Sequence, residues 1–397
     1  MWISSNLRRV LIGLQHASSS QHSATVGLSA SRLRFLVPLC TILLIRFVCL
    51  ALLYVAYRAG VLQGQGLIES QMSYDWLHLF SAWDTGHYCG IAQSWYPSSV
   101  SPVWAFFPLY PAAIMLLGWF RIDPWVSAFM ISTTFGLLSI VLFQKVAETY
   151  LPRTRALVAT VLYFLLPAVF IFSAVSYTEP MFLLFSLLAW YFHLRRDDAR
   201  AVMAAALCSL TRSYGILIVI PLMYDYLREK QFRNLLLTAV PLFALSGWLL
   251  YAFFRTDDLL APLSAQAYWR TETVLTVTRA LAQLATGSPE AIPTLLPLLR
   301  LAFVAVIFAA FTIFLSIKAW KIDRALGLYM FASIALITYF GFAQAYLSFP
   351  RFLMLLFPIG LPLYVERRWL LLVAIVLLSV LDFVAWWAFL TNVFFFH

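Results

Sequence analysis

Residues 35–57 read FLVPLCTILLIRFVCLALLYVAY. Apart from Thr41 and Arg46 the stretch is apolar. At about 1.5 Å per residue, a helix of this length crosses the ~30 Å hydrocarbon core of a bilayer. Further apolar runs follow at 125–146, 155–176, 180–194, 201–222, 234–254, 296–317, 325–346, 351–365 and 369–394. Two of these, 180–194 and 351–365, are short for a span and call for a thin crossing or extension into their neighbours. The pattern predicts an all-α integral membrane protein, a bundle of about ten transmembrane helices occupying residues 35–394 as one domain. Composition agrees. Hydrophobic residues make up 63% of the 397 and charged residues only 11%, whereas a soluble domain carries roughly 25% charge to solvate its surface.

The charge pattern sets an orientation. Residues 1–34 are Ser-rich and basic, with Arg8, Arg9, Arg32 and Arg34, and the first acid is Glu69. A transit peptide is one reading of such a segment; the preferred one is a cytoplasmic tail that orients the first helix. Between Val61 and Phe120 there is no Lys or Arg, as expected of an exported segment, so residues 58–124 are assigned to a large first extracytoplasmic loop. Lys145, Arg153, Arg155, Arg195, Arg196, Arg200, Lys318, Lys321, Arg324, Arg367 and Arg368 then fall inside. The net charge of +10 reports these loops rather than a nucleic-acid surface, because no solvated basic domain is present. Of the four cysteines, Cys40, Cys49 and Cys208 sit in apolar runs and Cys89 in the loop; no disulfide framework or metal-spaced pair is visible.

Two segments strain a simple count of crossings. Residues 104–120 (WAFFPLYPAAIMLLGWF) are apolar, but counting them as a span inverts everything downstream. They are read as a helix lying on, or dipping into, the outer leaflet. Run 201–222 contains Leu210-Thr-Arg212-Ser-Tyr214-Gly215. This polar, Gly-broken centre predicts two half-helices meeting near mid-membrane. Non-helical backbone at that depth must be buried in protein or line a cavity, which makes Arg212 a candidate site residue.

Three features could carry chemistry. In the loop, Asp84 and His87 lie in Ser81-Ala-Trp83-Asp84-Thr-Gly86-His87-Tyr88-Cys-Gly-Ile91-Ala92. A carboxylate partly desolvated there suits a general base; alternatively Asp84 caps a short interfacial helix with Trp83 and Tyr88 as belt residues. Ser176-Tyr177-Thr178-Glu179-Pro180 joins two spans. Glu179 there is either a helix-start acid complementing the dipole or a site residue. The third feature is arginine at membrane depth, at Arg46, Arg212 and Arg351. Such residues face a cavity, a counter-ion or a carbonyl, or snorkel to the interface. A lipid-linked phosphate is one counter-ion a guanidinium fits. No phosphate-cradling glycine loop or other nucleotide motif is present, so a group donor would arrive through the membrane.

Trp83-Asp84-x-x-His87-Tyr88-x-x-Ile91-Ala92 and Ala105-Phe106-Phe107-Pro108-Leu109-Tyr110-Pro111 resemble the first-loop signature of the PIG-V-type mannosyltransferases, in the GT-C superfamily. The later order of Ser-x-Tyr177-Thr178-Glu179, Thr211-Arg212-x-x-Gly215 and Phe349-Pro350-Arg351-Phe352 is similar too, and a compact bacterial or archaeal member is suggested. The resemblance implies a GT-C-like bundle and an inverting transfer of mannose from a polyprenyl (dolichyl-type) phosphate to a hydroxyl of a glycolipid or glycan acceptor, on the extracytoplasmic face. It implies Asp84 as the catalytic residue. His87, Tyr88, Tyr177, Glu179, Arg212 and Arg351 would bind substrate, the arginines opposing the departing phosphate. With so few clustered acids no metal is expected, and no cofactor beyond the lipid-phosphate-linked sugar. The membrane would be the cell (inner) membrane of a prokaryote or the endoplasmic reticulum of a eukaryote. One rival is a structural subunit whose outer loop binds a partner; the other is a polytopic transporter or lipid flippase. It would string ionisable residues along a path, where an enzyme would gather Asp84, Glu179 and Arg212 in one place.

Overall fold

The computed structural model describes residues 27–62, 74–287, 291–341 and 349–391. Most of the expected basic tail, residues 1–26, lies outside the described residues. Among the described residues the chain is helical, with no strand. Helix α1 (Gly27–Arg58) carries the opening apolar run. The first loop holds α2 (Asp84–Ser94) and α3 (Leu109–Gly118). Next come α4 (Pro124–Tyr150), α5 (Arg153–Phe164), α6 (Pro167–Phe172), α7 (Glu179–Leu194) and α8 (Asp198–Ser209). They are followed by α9 (Val219–Arg228), α10 (Phe232–Leu237), α11 (Ala239–Thr256) and α12 (Ala261–Ala285). The chain closes with α13 (Ala291–Ile322), α14 (Arg324–Gly341), α15 (Phe349–Met354) and α16 (Arg368–Thr391).

Among the described residues four helical stretches are long and apolar enough to cross a membrane: Leu36–Arg58, Pro124–Tyr150, Phe232–Thr256 and Arg368–Thr391. Helix α4 starts sharply because the Asp123 side chain accepts from the backbone N–H groups of Trp125 and Val126 at 2.9 and 3.2 Å, with Pro124 at the first helical position. It then runs through the core, packed on α7, α5, α3 and α1. Helices α1 and α16 sit on the rim. Leu44, Phe47 and Val55 on α1, and Leu372 and Val376 on α16, stand exposed, which suits lipid as the neighbour.

Proline and glycine break several apolar runs. Run 155–176 is not one span: Leu166 adopts an extended ψ of 128° ahead of Pro167, as the ring of a following proline demands, and the run divides into α5 and α6. Run 351–365 is not a span either. Helix α15 ends at Met354 and a short 3-10 turn, Phe357–Gly360, follows. Run 201–222 is broken where expected: α8 ends at Ser209 and Arg212 is extended, with φ −154° and ψ 154°. In run 104–120 the helix α3 has 10 residues, only about 15 Å of rise, too short to cross a bilayer.

These breaks converge. Residues 173–178 are non-helical and fully buried between α6 and α7. They pack close to α4, where a Cβ on Gly136 would stand 1.9 Å from the Ser173 carbonyl oxygen. Buried irregular backbone must find partners. Here Ser132 donates to the Tyr177 carbonyl at 2.8 Å, and the Ser176 N–H donates to the Phe80 carbonyl at 2.8 Å.

Candidate active site

The loop that carries Asp84 is fastened to the 173–178 segment. Ser81 Oγ donates to Ser176 Oγ at 3.0 Å and Thr85 Oγ1 to the Ser176 carbonyl at 3.2 Å. Trp83 takes φ 51° and ψ −112°, a conformation costing an L-residue roughly 1–3 kcal/mol. Its indole N–H, donating to the Phe389 carbonyl at 3.1 Å, helps hold it there. This turn places Asp84 in the first turn of α2, where the helix dipole favours a carboxylate. The Asp84 backbone N–H donates to the Tyr177 hydroxyl at 3.2 Å.

Asp84, Glu179, Arg212 and Arg351 meet in one cluster. Arg351 Nη1 and Nη2 both lie 3.2 Å from Asp84 Oδ2. Its Nε lies 3.0 Å from Glu179 Oε1. Arg212 Nη1 pairs with that same Glu179 oxygen. The Glu179 side chain is wholly buried and Arg351 nearly so at 5%, whereas Asp84 retains 23% of its exposure. Two carboxylates thus offset two guanidiniums, and a buried charge needs such compensation. The most exposed member is the acid Asp84, with Arg212 next at 11%.

The charges come from helix starts, a short helix and one break. Glu179 opens α7 and is followed by Pro180. Arg212 stands in the gap after α8, with Gly215 close behind; a Cβ on Gly215 would lie 2.1 Å from the Cys208 carbonyl oxygen. Arg351 lies on the short α15. The Thr178 hydroxyl donates to the Thr211 carbonyl at 3.3 Å, tying two of these positions together. The Leu109 N–H donates to the Leu210 carbonyl at 3.1 Å and brings the first loop to the same place.

Aromatic rings wall the cluster. The Arg351 guanidinium lies 5.2 Å from the Phe172 ring and 5.4 Å from Tyr177. That of Arg212 lies 4.6 Å from Phe352 and 5.2 Å from Tyr214. Such contacts stabilise a desolvated cation. Tyr88 is buried and packs edge-on to Tyr110 and Tyr177 at 4.9 and 6.3 Å. Burial, reinforced by the Glu179 carboxylate, pushes its phenol well above the ordinary range, so Tyr88 is a neutral hydroxyl here. His87 stacks on Phe106 at 4.9 Å.

Of the sequence candidates, Arg46 stands apart: its Nη2 donates to the Phe170 carbonyl at 2.7 Å and to Ser173 Oγ at 2.9 Å. Sequence reasoning did not single out Asp382, wholly buried on α16. The available signal was a carboxylate inside an otherwise apolar span. Phe172 and Phe352 were missed too, since an aromatic ring in an apolar run carries no distinguishing mark. Among the described residues no group of three or more His, Cys, Asp or Glu is placed to hold a metal ion.

The fold thus gathers one partly exposed carboxylate and a buried one around two paired guanidiniums. A family model, mannosyltransferase (PIG-V), matches residues 28–282. That is well over half of the chain, and the chain belongs to this family of mannosyltransferases. The match spans Asp84, Tyr177, Glu179 and Arg212, while Arg351 lies beyond it. No curated protein and no solved structure matches.

Proposed function

We propose that this membrane mannosyltransferase is a multi-pass enzyme that moves mannose from a polyprenyl-phosphate donor to a hydroxyl of a glycolipid or glycan, with inversion, on the extracytoplasmic side. The observation that carries the reading is the junction of Asp84, Glu179, Arg212 and Arg351, which in sequence lie in four separate segments. In the reaction the acceptor oxygen attacks the anomeric carbon, the bond from that carbon to the phosphate oxygen breaks, and polyprenyl phosphate leaves. Asp84 takes the proton of the attacking hydroxyl. Arg212 and Arg351 oppose the charge that grows on the departing phosphate.

The geometry suggests how the two tasks are linked. Arg351 divides its donors between Asp84 and Glu179. An arriving phosphate competes for the same guanidinium. Drawing Arg351 away from Asp84 frees Oδ2 for the acceptor, so the base becomes available when the donor is seated. Glu179 keeps the two guanidiniums side by side despite their like charge. Tyr177 orients Asp84 through its backbone N–H, and His87 and Tyr88 on the same helix bind substrate. The membrane is the inner membrane of a prokaryote or the endoplasmic reticulum of a eukaryote.

The test is mannosyl transfer in membranes containing the protein, with polyprenyl-phosphate mannose as donor and total lipid as acceptor, for wild type and Asp84→Asn. Loss of about 100-fold or more in a normally expressed variant is expected, the lower range for a general base. Full activity in the variant would remove Asp84 from the role of base. No transfer by wild type would refute the donor or acceptor class.

A further inference from the structure

Arg46 and Asp382 are buried ionisable residues that this mechanism does not use. Arg46 lies on α1, 6% exposed, and Asp382 on α16, with no exposure. Neither oxygen of Asp382 accepts a hydrogen bond, and Arg46 Nε donates none. Instead, Arg46 Nη2 reaches the Phe170 carbonyl at 2.7 Å and Ser173 Oγ at 2.9 Å, with the guanidinium 5.0 Å from the Phe170 ring.

We infer that Arg46 is a positioning residue for the catalytic segment, fastening it to α1 through the Phe170 carbonyl and the Ser173 hydroxyl. This rests on the proposed site. The argument begins from cost. An arginine within a lipid-exposed helix is expensive, and a helix packing here could use a leucine. What the arginine gains is an anchor on the last turn of α6 and the first residue of segment 173–178. That segment carries Tyr177, which touches Asp84, and runs into Glu179, which holds both guanidiniums. Gly136 and Ser132 of α4 brace it from one side, and Ser81 and Thr85 from the first loop. Arg46 is the brace from α1. Non-helical backbone has no intrahelical ladder to fix it, so its register depends on such contacts.

The test compares wild type with R46K, D382N and the double variant R46Q/D382N. The double variant removes both buried ionisable groups together, so that neither is left alone in the bundle. Two quantities are read: amide hydrogen exchange of residues 173–178, and steady-state transfer from polyprenyl-phosphate mannose. In the double variant, faster exchange in 173–178 is expected. A displaced catalytic group predicts kcat falling about 10- to 100-fold with the donor KM changed less than about threefold. D382N, which keeps the anchor, is expected to lose far less, and R46K to recover part of the loss. Unchanged exchange and kcat in the double variant would overturn the inference, as would a raised KM at constant kcat, which would make Arg46 a donor-binding group. Should the double variant not accumulate, R46K with S173A displaces the guanidinium fork and removes the anchored hydroxyl while keeping the charge; wild-type exchange there overturns the inference equally. Exchange is measured without turnover, so an inactive wild type would sink the proposed reaction and leave this inference still open to measurement.

Discussion

Arg351 turns both terminal nitrogens toward a single oxygen of Asp84, each at 3.2 Å, while its Nε addresses Glu179 at 3.0 Å. One planar guanidinium thereby serves two acids. A lysine, with one compact ammonium, lacks the planar fork that places three donors at these separate positions. R351K is expected to fold, since it keeps the charge, but to lose at least about 10-fold in transfer activity. Activity assays at matched expression check this; near wild-type turnover would mean that the fork is not needed.

Glu179 is the single anion between two guanidiniums. E179Q preserves the shape and leaves two like charges adjacent in a buried place. Removing one partner from such a cluster costs about 3–5 kcal/mol. The expected outcome is a marked fall in thermal stability in detergent together with lost activity. E179Q/R212Q, which removes one charge of each sign, should recover stability without recovering activity.

Gly136 and Gly90 make a matched pair. A Cβ at Gly136 would stand 1.9 Å from the Ser173 carbonyl oxygen, while one at Gly90 meets nothing within 4 Å. The obstacle at Gly136 is backbone, which cannot swing aside. G136A is therefore expected to displace the catalytic segment, costing about 1–3 kcal/mol as overpacking does, and to lower kcat. G90A should match wild type or gain up to about 1 kcal/mol, because alanine narrows the unfolded ensemble. Thermal unfolding and turnover of the two variants decide it.

Tyr177 accepts the Asp84 N–H at 3.2 Å and lies 5.4 Å from the Arg351 guanidinium. Y177F keeps the ring and deletes the acceptor. The loss of one hydrogen bond is worth about 1 kcal/mol, so a reduction of roughly fivefold in kcat is expected with the fold intact. A loss as large as that of D84N would instead give the hydroxyl a direct part in the chemistry.

Much of this site was legible in sequence because its members are costly where they stand. Arg212 showed itself by interrupting an apolar run with Thr-Arg-Ser-Tyr-Gly, and the chain breaks there. Glu179 showed itself as an acid next to a proline at a span junction. That Glu179 would sit between Arg212 and Arg351 was not legible, since pairing across segments leaves no periodic trace. The interruptions at Leu166 and after Met354 were also lost to the eye. Hydropathy averages over side chains, and Pro167, Pro358 and Pro362 are apolar enough to pass in such an average while still stopping a helix. Asp382 was diluted in the same way by its apolar neighbours.

Asp84 and Arg351 are separated by 267 positions, and this has a consequence for biogenesis. A ribosome that has delivered Asp84, Tyr177, Glu179 and Arg212 to the membrane has still to synthesise α15. Until it does, Glu179 has one guanidinium to bind and Asp84 has none. A partly made chain therefore cannot close its cluster until α15 has joined the rest.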